Sequence, residues 1–143
     1  MTPYEAAAAV VDPELRVVTI AELGILRDVS VVDGRVRVTI TPTYSGCPAI
    51  DAIRDDIRSA LARAGYEGAD VVTSLSPAWS TDMITESGRE ALARNGIAPP
   101  GSHECPQCSS GHTLQISRYG STPCQALFKC LGCHEPFPLV KTL

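Results

Sequence analysis

The amino-acid sequence predicts an α+β protein built from two modules, and three patterns carry this prediction. An Asp-Gly pair at 33–34 joins two runs of alternating apolar residues, and a helical stripe of apolar residues follows at 50–64. Two Cys-x-x-Cys pairs stand in the last third of the chain. The first two patterns predict a small two-layer domain with a sheet of three or more strands packed on helices. The third predicts a C-terminal ribbon held by a metal.

The first elements are short helices. Residues 4–11 are rich in alanine and predict a helix, which Pro13 ends because proline cannot continue it. Thr19 and Glu22 have the spacing of a capping box, and Gly24 follows as a stop signal. We expect about one helical turn there.

A β-hairpin and a covering helix come next. Alternation at 25–32 and 35–41 predicts two strands, because an Asp-Gly turn between such runs is typical of a hairpin. The helix after Pro48 would bury a stripe with spacings of three and four and end at Gly65. Its apolar positions are Ile50, Ile53, Ile57, Leu61 and Ala64.

The remaining elements complete the two modules. Residues 69–75 predict a third strand, and residues 80–95 predict a helix that Gly88 weakens and Gly96 ends. The prolines and glycine of 99–102 indicate a linker. We therefore expect a domain over residues 1–98 and a ribbon over 103–143.

Charge and composition exclude several functions. The net charge of −4 comes with scattered basic residues, which argues against nucleic acid as a partner. No apolar run reaches the length of about 18 residues that a membrane span needs. The first residues lack a positive segment before their apolar stretch, so we expect no export signal and a cytoplasmic protein. Both a monomer and a homodimer remain open.

Four cysteines form a predicted metal site. Cys105 with Cys108 and Cys130 with Cys133 make two knuckles, and two such turns complete a tetrahedron of thiolates. This pattern favours zinc, and a closed shell of four thiolates is typical of a structural site. An iron–sulfur cluster uses the same ligands and stays an alternative, whereas a redox dithiol leaves one pair unexplained.

The ribbon around these cysteines has two predicted strands, 113–119 and 126–129. Pro136-Phe-Pro138 is expected to break regular structure before a short strand at 139–140. His103, His112 and His134 are expected to be exposed or to lie behind the ligands. Cys124 is left over, as a buried residue, a substitute ligand or a reactive thiol.

Cys47 is the second candidate functional residue. It lies between a predicted strand and a predicted helix, where backbone N–H groups and the helix dipole stabilise a thiolate. The alternative is that Cys47 packs beneath the helix. Tyr44, Ser45 and Asp51 are the nearby polar residues, and the absence of a histidine among them disfavours an independent thiol enzyme.

The first module resembles the metal–sulfur cluster assembly factor family, which has SufT-like domains. Asp12-Pro-Glu14, Leu23-Gly24-Ile25, the Asp-Gly hairpin and Thr41-Pro-Thr-Tyr-Ser-Gly-Cys47-Pro48 carry the resemblance. It implies a small α+β protein that helps to deliver or mature iron–sulfur clusters, with Cys47 as the functional thiol and a transient cluster as its cargo. Asp12, Glu14, Thr43, Ser45 and Gly46 belong to the matching motifs.

The whole chain resembles the PaaD (PaaJ) family of the bacterial phenylacetyl-CoA epoxidase system. The matching segments are Trp79-Ser-Thr-Asp82, Gly88-Arg89, Gly96-Ile-Ala-Pro-Pro100 and the cysteine motifs of the ribbon. The resemblance implies an accessory protein of a di-iron monooxygenase in aerobic phenylacetate catabolism, with the oxygenase or its iron–sulfur reductase as partner. Trp79 and Asp82 are the family positions before the ribbon. Pro123 departs from the family pattern and leaves the role of Cys124 open.

Two functions remain as alternatives. The first is a maturation factor for a metal centre, and the second is a non-catalytic adaptor that binds the oxygenase or reductase through its ribbon. The chain has no Glu-x-x-His pair of the kind that di-iron bundles use and no dinucleotide-binding glycine motif. We therefore expect no independent catalysis.

Overall fold

The computed structural model describes residues 1–43, 49–121 and 125–141. The chain divides into two compact units, Met1–Thr85 and Glu86–Leu143. Residues 86–98 thus group with the ribbon, whereas the linker at 99–102 stays a prediction.

Both units combine helices with strands. The first unit holds α1 (Pro3–Ala8), β1 (Leu26–Val32), β2 (Arg35–Ile40), α2 (Ile50–Arg63), β3 (Asp70–Thr73) and a 3₁₀ turn (Thr81–Met83), and the second holds α3 (Glu86–Arg94), β4 (Thr113–Ser117), β5 (Gln125–Cys130) and β6 (Pro136–Val140). The α+β class is confirmed. Among the described helices, none has both the length and the apolar character needed to cross a membrane.

The first unit is built on a three-stranded sheet in the order β1-β2-β3. β1 and β2 are antiparallel and β2 and β3 are parallel. Asp33 and Gly34 have φ angles of 52° and 77°, as the tight turn of a hairpin requires. The hairpin prediction is confirmed.

Helix α2 buries the predicted stripe. Ile53, Ile57 and Leu61 are buried along one side of the helix, and α2 contacts both α1 and β3. From the sheet, Val38 and Ile40 are fully buried. Burying each such side chain stabilises the fold by about 1.5–3 kcal/mol before the entropy of ordering it is subtracted.

The predicted helix over residues 80–95 is two separate elements. A 3₁₀ turn ends at Met83, and α3 begins only at Glu86. The break occurs because Thr85, which lies inside it, and Trp79, which precedes the 3₁₀ turn, both bond to a turn that is distant in sequence. The Thr85 N–H donates to the Glu22 carbonyl at 2.8 Å, and the Trp79 indole donates to the Leu23 carbonyl at 2.9 Å. These bonds fix the segment in a non-helical path.

The prediction that Pro136-Phe-Pro138 breaks regular structure is wrong. Pro136 and Pro138 lie inside β6, which pairs antiparallel with β5 in the order β4-β5-β6. The Pro138 carbonyl accepts from the Ala98 N–H at 2.9 Å, so the backbone of Pro138 faces away from β5. The missing N–H therefore costs no bond to β5, which is how a strand tolerates proline.

Candidate metal centre and the segment around Cys47

Two turns of the same geometry present the four cysteines. The Cys105 N–H donates to the Ser110 carbonyl at 3.0 Å, and the Cys130 N–H donates to the Glu135 carbonyl at 2.9 Å. Ser109 and His134, each next to the second cysteine of its pair, have φ angles of 63° and 66°. Each Cys-x-x-Cys pair is thereby folded into a knuckle with both sulfurs on one side.

The four sulfurs form a compact group. The Sγ atoms of Cys105 and Cys133 are 3.7 Å apart, those of Cys108 and Cys130 are 3.6 Å apart, and all four lie within 4.8 Å of one another. A tetrahedron with metal–sulfur bonds of about 2.3 Å has edges of about 3.8 Å. The arrangement therefore fits one tetrahedral ion, and the chain has a four-cysteine metal-binding site.

Backbone N–H groups stabilise thiolates at this site. The Gly132 and Cys133 N–H groups approach the Cys130 sulfur at 3.3 and 3.4 Å, and the Gln107 N–H approaches the Cys105 sulfur at 3.4 Å. The bond from Cys133 is the main reason that the pKa of the Cys130 thiol falls to about 6. Such bonds hold the knuckle and spread the negative charge of its sulfurs.

The sulfurs of Cys108 and Cys133 resist ionisation in the absence of a cation. The Glu135 N–H favours the Cys133 thiolate, but partial desolvation of the sulfur and the neighbouring sulfurs outweigh it and raise the pKa of Cys133 to about 12. The pKa of Cys108 is also raised, because the Cys130 sulfur and partial desolvation outweigh the favourable N–H of Ser110. A divalent cation relieves the repulsion between neighbouring thiolates, so metal binding releases protons from the thiols.

The site has a buried side and an open side. Cys105 and Cys130 are buried, whereas Cys108 and Cys133 are exposed. His103, His112 and His134 are exposed and do not belong to the group of four ligands found among the described residues. His103 instead contacts the Phe128 ring, with 5.5 Å between ring centroids.

Asp12 is a buried carboxylate in the first unit. Its side chain accepts from the N–H groups of Glu14 at 3.0 Å and Leu15 at 2.6 Å. Burial nevertheless raises its pKa, because loss of water outweighs these two bonds. The Asp12-Pro-Glu14 motif is thus a closed turn around a carboxylate.

Trp79 and Asp82 have different surroundings. Trp79 is buried with its indole bonded to Leu23, whereas Asp82 is exposed. Gly24 lies so close to the same segment that a β-carbon there would be 2.5 Å from the Met83 carbonyl oxygen. The motifs at 22–25 and 79–85 therefore form one packed unit.

Cys47, Ser45, Gly46 and Cys124 lie outside the described residues, and their predicted roles stay predictions. The connection that contains Cys47 runs from the end of β2 at Ile40 to α2, whose N-cap is Ala49. The helix thus begins slightly after the predicted start at Pro48. Ala49 itself has no side-chain group that could cap the first N–H groups of the helix.

Thr41 is a buried polar residue that the sequence analysis did not single out. It is 1% exposed, and its hydroxyl is one of two buried side-chain groups for which the described structure offers no hydrogen-bond partner. Its N–H donates to the Ile25 carbonyl at 2.9 Å, so the backbone continues the β2 pairing. In the sequence Thr41 fits an ordinary strand, and only its place before the Cys47 motif could have drawn attention to it.

Comparison with known proteins shows which family the chain belongs to. A protein of Escherichia coli, provisionally named as one of the subunits of 1,2-phenylacetyl-CoA epoxidase, is 42% identical over 142 residues, which cover 92% of this chain and 86% of that protein. The chain belongs to the PaaD family. The PaaD zinc beta ribbon domain matches residues 93–141 and includes all four cysteines of the metal site.

The first unit of this PaaD family member matches a second protein family. The family described as iron–sulfur cluster assembly protein matches residues 4–73. An Fe-S protein maturation auxiliary factor of Porphyromonas gingivalis is 38% identical over 90 residues, covering 62% of this chain and 82% of that protein. A crystal structure of a DUF59 domain from Bacillus anthracis is 30% identical with a TM-score of 0.58, covering 63% of this chain and 87% of that one.

Proposed function

We propose that this chain is a maturation factor of the multicomponent phenylacetyl-CoA ring epoxidase in aerobic phenylacetate catabolism. The observation that carries the proposal is the joining of two modules in one chain. An iron–sulfur assembly domain matches residues 4–73 and a PaaD ribbon matches residues 93–141. The combination favours a protein that assembles metal centres and is dedicated to one enzyme system.

The ribbon, in this proposal, holds a structural zinc ion. Four thiolates at tetrahedral spacing close the coordination shell and leave no open position for a substrate. A multi-iron cluster spreads its ligands over several irons, which fits sulfurs 3.6 and 3.7 Å apart less well than one ion does. Zinc would contribute directly to folding, because so small a ribbon has little core of its own.

Cys47 would be the working thiol, with an iron–sulfur cluster as transient cargo. The first N–H groups of α2, which Ala49 does not cap, would favour an anion in the preceding turn. Thr43, Ser45 and Gly46 would shape that turn. Asp12, Glu14, Trp79 and Asp82 would support it as the other family positions of the first domain.

The partners would be the oxygenase or the iron–sulfur reductase of the epoxidase system. A protein that serves such a system would work in the cytoplasm and would have no turnover of its own. The alternative is a non-catalytic adaptor that needs the ribbon and does not need Cys47.

Co-expression of the epoxidase subunits decides between these functions. The epoxidase is produced without this chain, with the wild type, and with the Cys47→Ser variant, and its iron, sulfide and activity are measured. Val31→Ser serves as the control, because Val31 is an exposed residue of β1 that belongs to none of the family motifs. We expect wild type and Val31→Ser to support full metallation and Cys47→Ser to fail.

Two results would count against the proposal in different ways. Full metallation of the epoxidase without this chain would refute the maturation role. Full activity with Cys47→Ser but none in the absence of the chain would favour the adaptor. The zinc assignment is tested separately in the purified Cys47→Ser variant, which cannot hold cargo on Cys47. This variant should contain one equivalent of zinc and no acid-labile sulfide.

A further inference from the structure

The sheet of the ribbon has two faces of different character. Ala126, Phe128 and Phe137 are buried on one face, in a cluster with Ala98 and the buried cysteines. Because side chains alternate along a strand, their neighbours project from the opposite face. We call the accessible part of this side the outer face, and its residues are Leu114, Ile116, Leu127, Lys129, Pro136 and Pro138. Beyond them the same side ends in the buried pair of Gln125 and Val140.

Strand register aligns the outer face into two rows. Leu114 pairs with Lys129, and Lys129 pairs with Pro136. In the next row Leu127 pairs with Ser117 on one side and Pro138 on the other. The register shift after Gln115 places Ile116 beside Ser117, since a bulge sets two residues opposite one.

The outer face is apolar, and it is most accessible along β4. Leu114 is 57% exposed and Ile116 is 53% exposed, whereas Leu127, Lys129 and Pro138 are half-buried. Contiguous exposed apolar residues on a folded domain mark an interaction surface more often than scattered ones do. Among the described residues, β4 is also an edge strand of its sheet.

Lys129 gives this apolar surface one positive charge. It stands between Leu114 and Pro136 in its row, and the described structure gives it no ion pair. A lysine that becomes buried in an interface without a counter-ion is costly, so the surface that covers it must supply a carboxylate.

We infer that the outer face docks a protein component of the epoxidase system, through an apolar surface that carries a carboxylate opposite Lys129. This inference rests on the proposed function, because it takes the partner from that system. The bulge in β4 disfavours indiscriminate strand addition at the edge. Contact therefore runs through the side chains of the face.

The metal site stiffens this docking surface. Cys130 pairs with Thr113, one position along the sheet from the pair of Leu114 and Lys129. Metal bound by Cys130 thus fixes the strand that carries Lys129 and, through pairing, the strand that carries Leu114. Removal of the metal should abolish docking even while the first domain stays folded.

The opposite face of the same sheet supplies a matched control. A depression of about 490 Å³ there is lined by Gln115, Arg118, Tyr119, Ala126 and Lys141. Lys141 lies over the Tyr119 ring at 4.2 Å. Lys141→Glu makes the same charge change as Lys129→Glu on the other side of the ribbon.

Binding is measured by titration calorimetry between the full-length chain and each of the other epoxidase subunits, purified separately. Lys129→Glu and Leu114→Ser should each weaken binding about tenfold or more, as loss of a central contact does. Lys141→Glu should bind as the wild type does. Zinc content and thermal stability of each variant confirm that the ribbon is intact.

Three results would overturn the inference. In the first, Lys129→Glu and Leu114→Ser bind the partner subunit as tightly as the wild type does. In the second, the wild type binds no subunit, and in the third, the outer face binds phosphatidylglycerol vesicles instead. A single lysine argues against the vesicles, because stable attachment to anionic lipid takes several cations.

Co-expression separates this inference from the proposed function. If both outer-face variants support the epoxidase as the wild type does, docking at this face is wrong and the maturation role stands. If the wild type itself makes no difference to the epoxidase, the proposed function fails whatever the binding data show.

Discussion

Replacing Gly24 by alanine tests how the turn at 22–24 packs against the segment before α3. Gly24 has a φ angle of 79°, and a β-carbon there would lie 2.5 Å from the Met83 carbonyl oxygen and 2.6 Å from the Met83 β-carbon. The left-handed conformation alone costs an alanine about 1–2 kcal/mol. The overlap with backbone adds about 1–3 kcal/mol, as overpacking of a filled site does.

Comparison with Gly34→Ala isolates the cost of the overlap with Met83. Gly34 has a nearly equal φ angle of 77°, and a β-carbon there would meet nothing within 4 Å. The control should therefore lose only about 1–2 kcal/mol, against about 2–5 kcal/mol for Gly24→Ala. In a domain of this size each kcal/mol lowers the melting temperature by about 4–8 °C.

Urea unfolding followed by tryptophan fluorescence is a suitable assay. Trp79 is the single tryptophan of the chain, and its buried indole donates to the Leu23 carbonyl in the contact being tested. Equal losses of stability in Gly24→Ala and Gly34→Ala would refute the close packing of Gly24 on Met83.

Four other perturbations follow from the same structure. Trp79→Phe should cost about 2–4 kcal/mol in urea unfolding followed by circular dichroism, because it leaves a cavity and strips the Leu23 carbonyl of its buried donor. A loss below about 0.5 kcal/mol would contradict that bond. Burial raises the pKa of Asp12, so the folded state binds its proton more readily than the unfolded state does. Wild type should therefore gain stability relative to Asp12→Asn as the pH falls from about 7 to about 4, and a difference independent of pH would exclude the shift. Cys105→Ala should lose stoichiometric metal by mass spectrometry and unfold the ribbon alone, and full metal retention would show that the ligand set is wrong. Cys47 should be alkylated by iodoacetamide with an apparent pKa below the value of about 8.5 for a free thiol, and a higher value would remove the case for an activated thiolate.

Local patterns in the sequence determined much of this protein. Asp33-Gly34 predicted the hairpin because few dipeptides accept two positive φ angles in succession. The apolar spacing of α2 predicted its buried side, since helix periodicity is a property of the chain itself. The four ribbon cysteines were identified by spacing alone, because each Cys-x-x-Cys turn is a local structure.

Tertiary contacts decided the rest. The break before α3 depends on Glu22 and Leu23, which lie far away in sequence and accept bonds from Thr85 and Trp79. Pro138 is tolerated in β6 because its backbone faces Ala98 rather than β5, and sequence alone does not give the direction in which a strand bonds.

The apolar outer face of the ribbon shows the same limit. Alternation along β4 and β5 was visible in the sequence, but the register that places Lys129 between Leu114 and Pro136 was not. Periodicity records how one segment is divided between two faces, whereas the neighbours across a sheet are set by pairing between segments. The chain thus specified its elements and its metal ligands locally, and only the folded sheet determined which side chains share a surface.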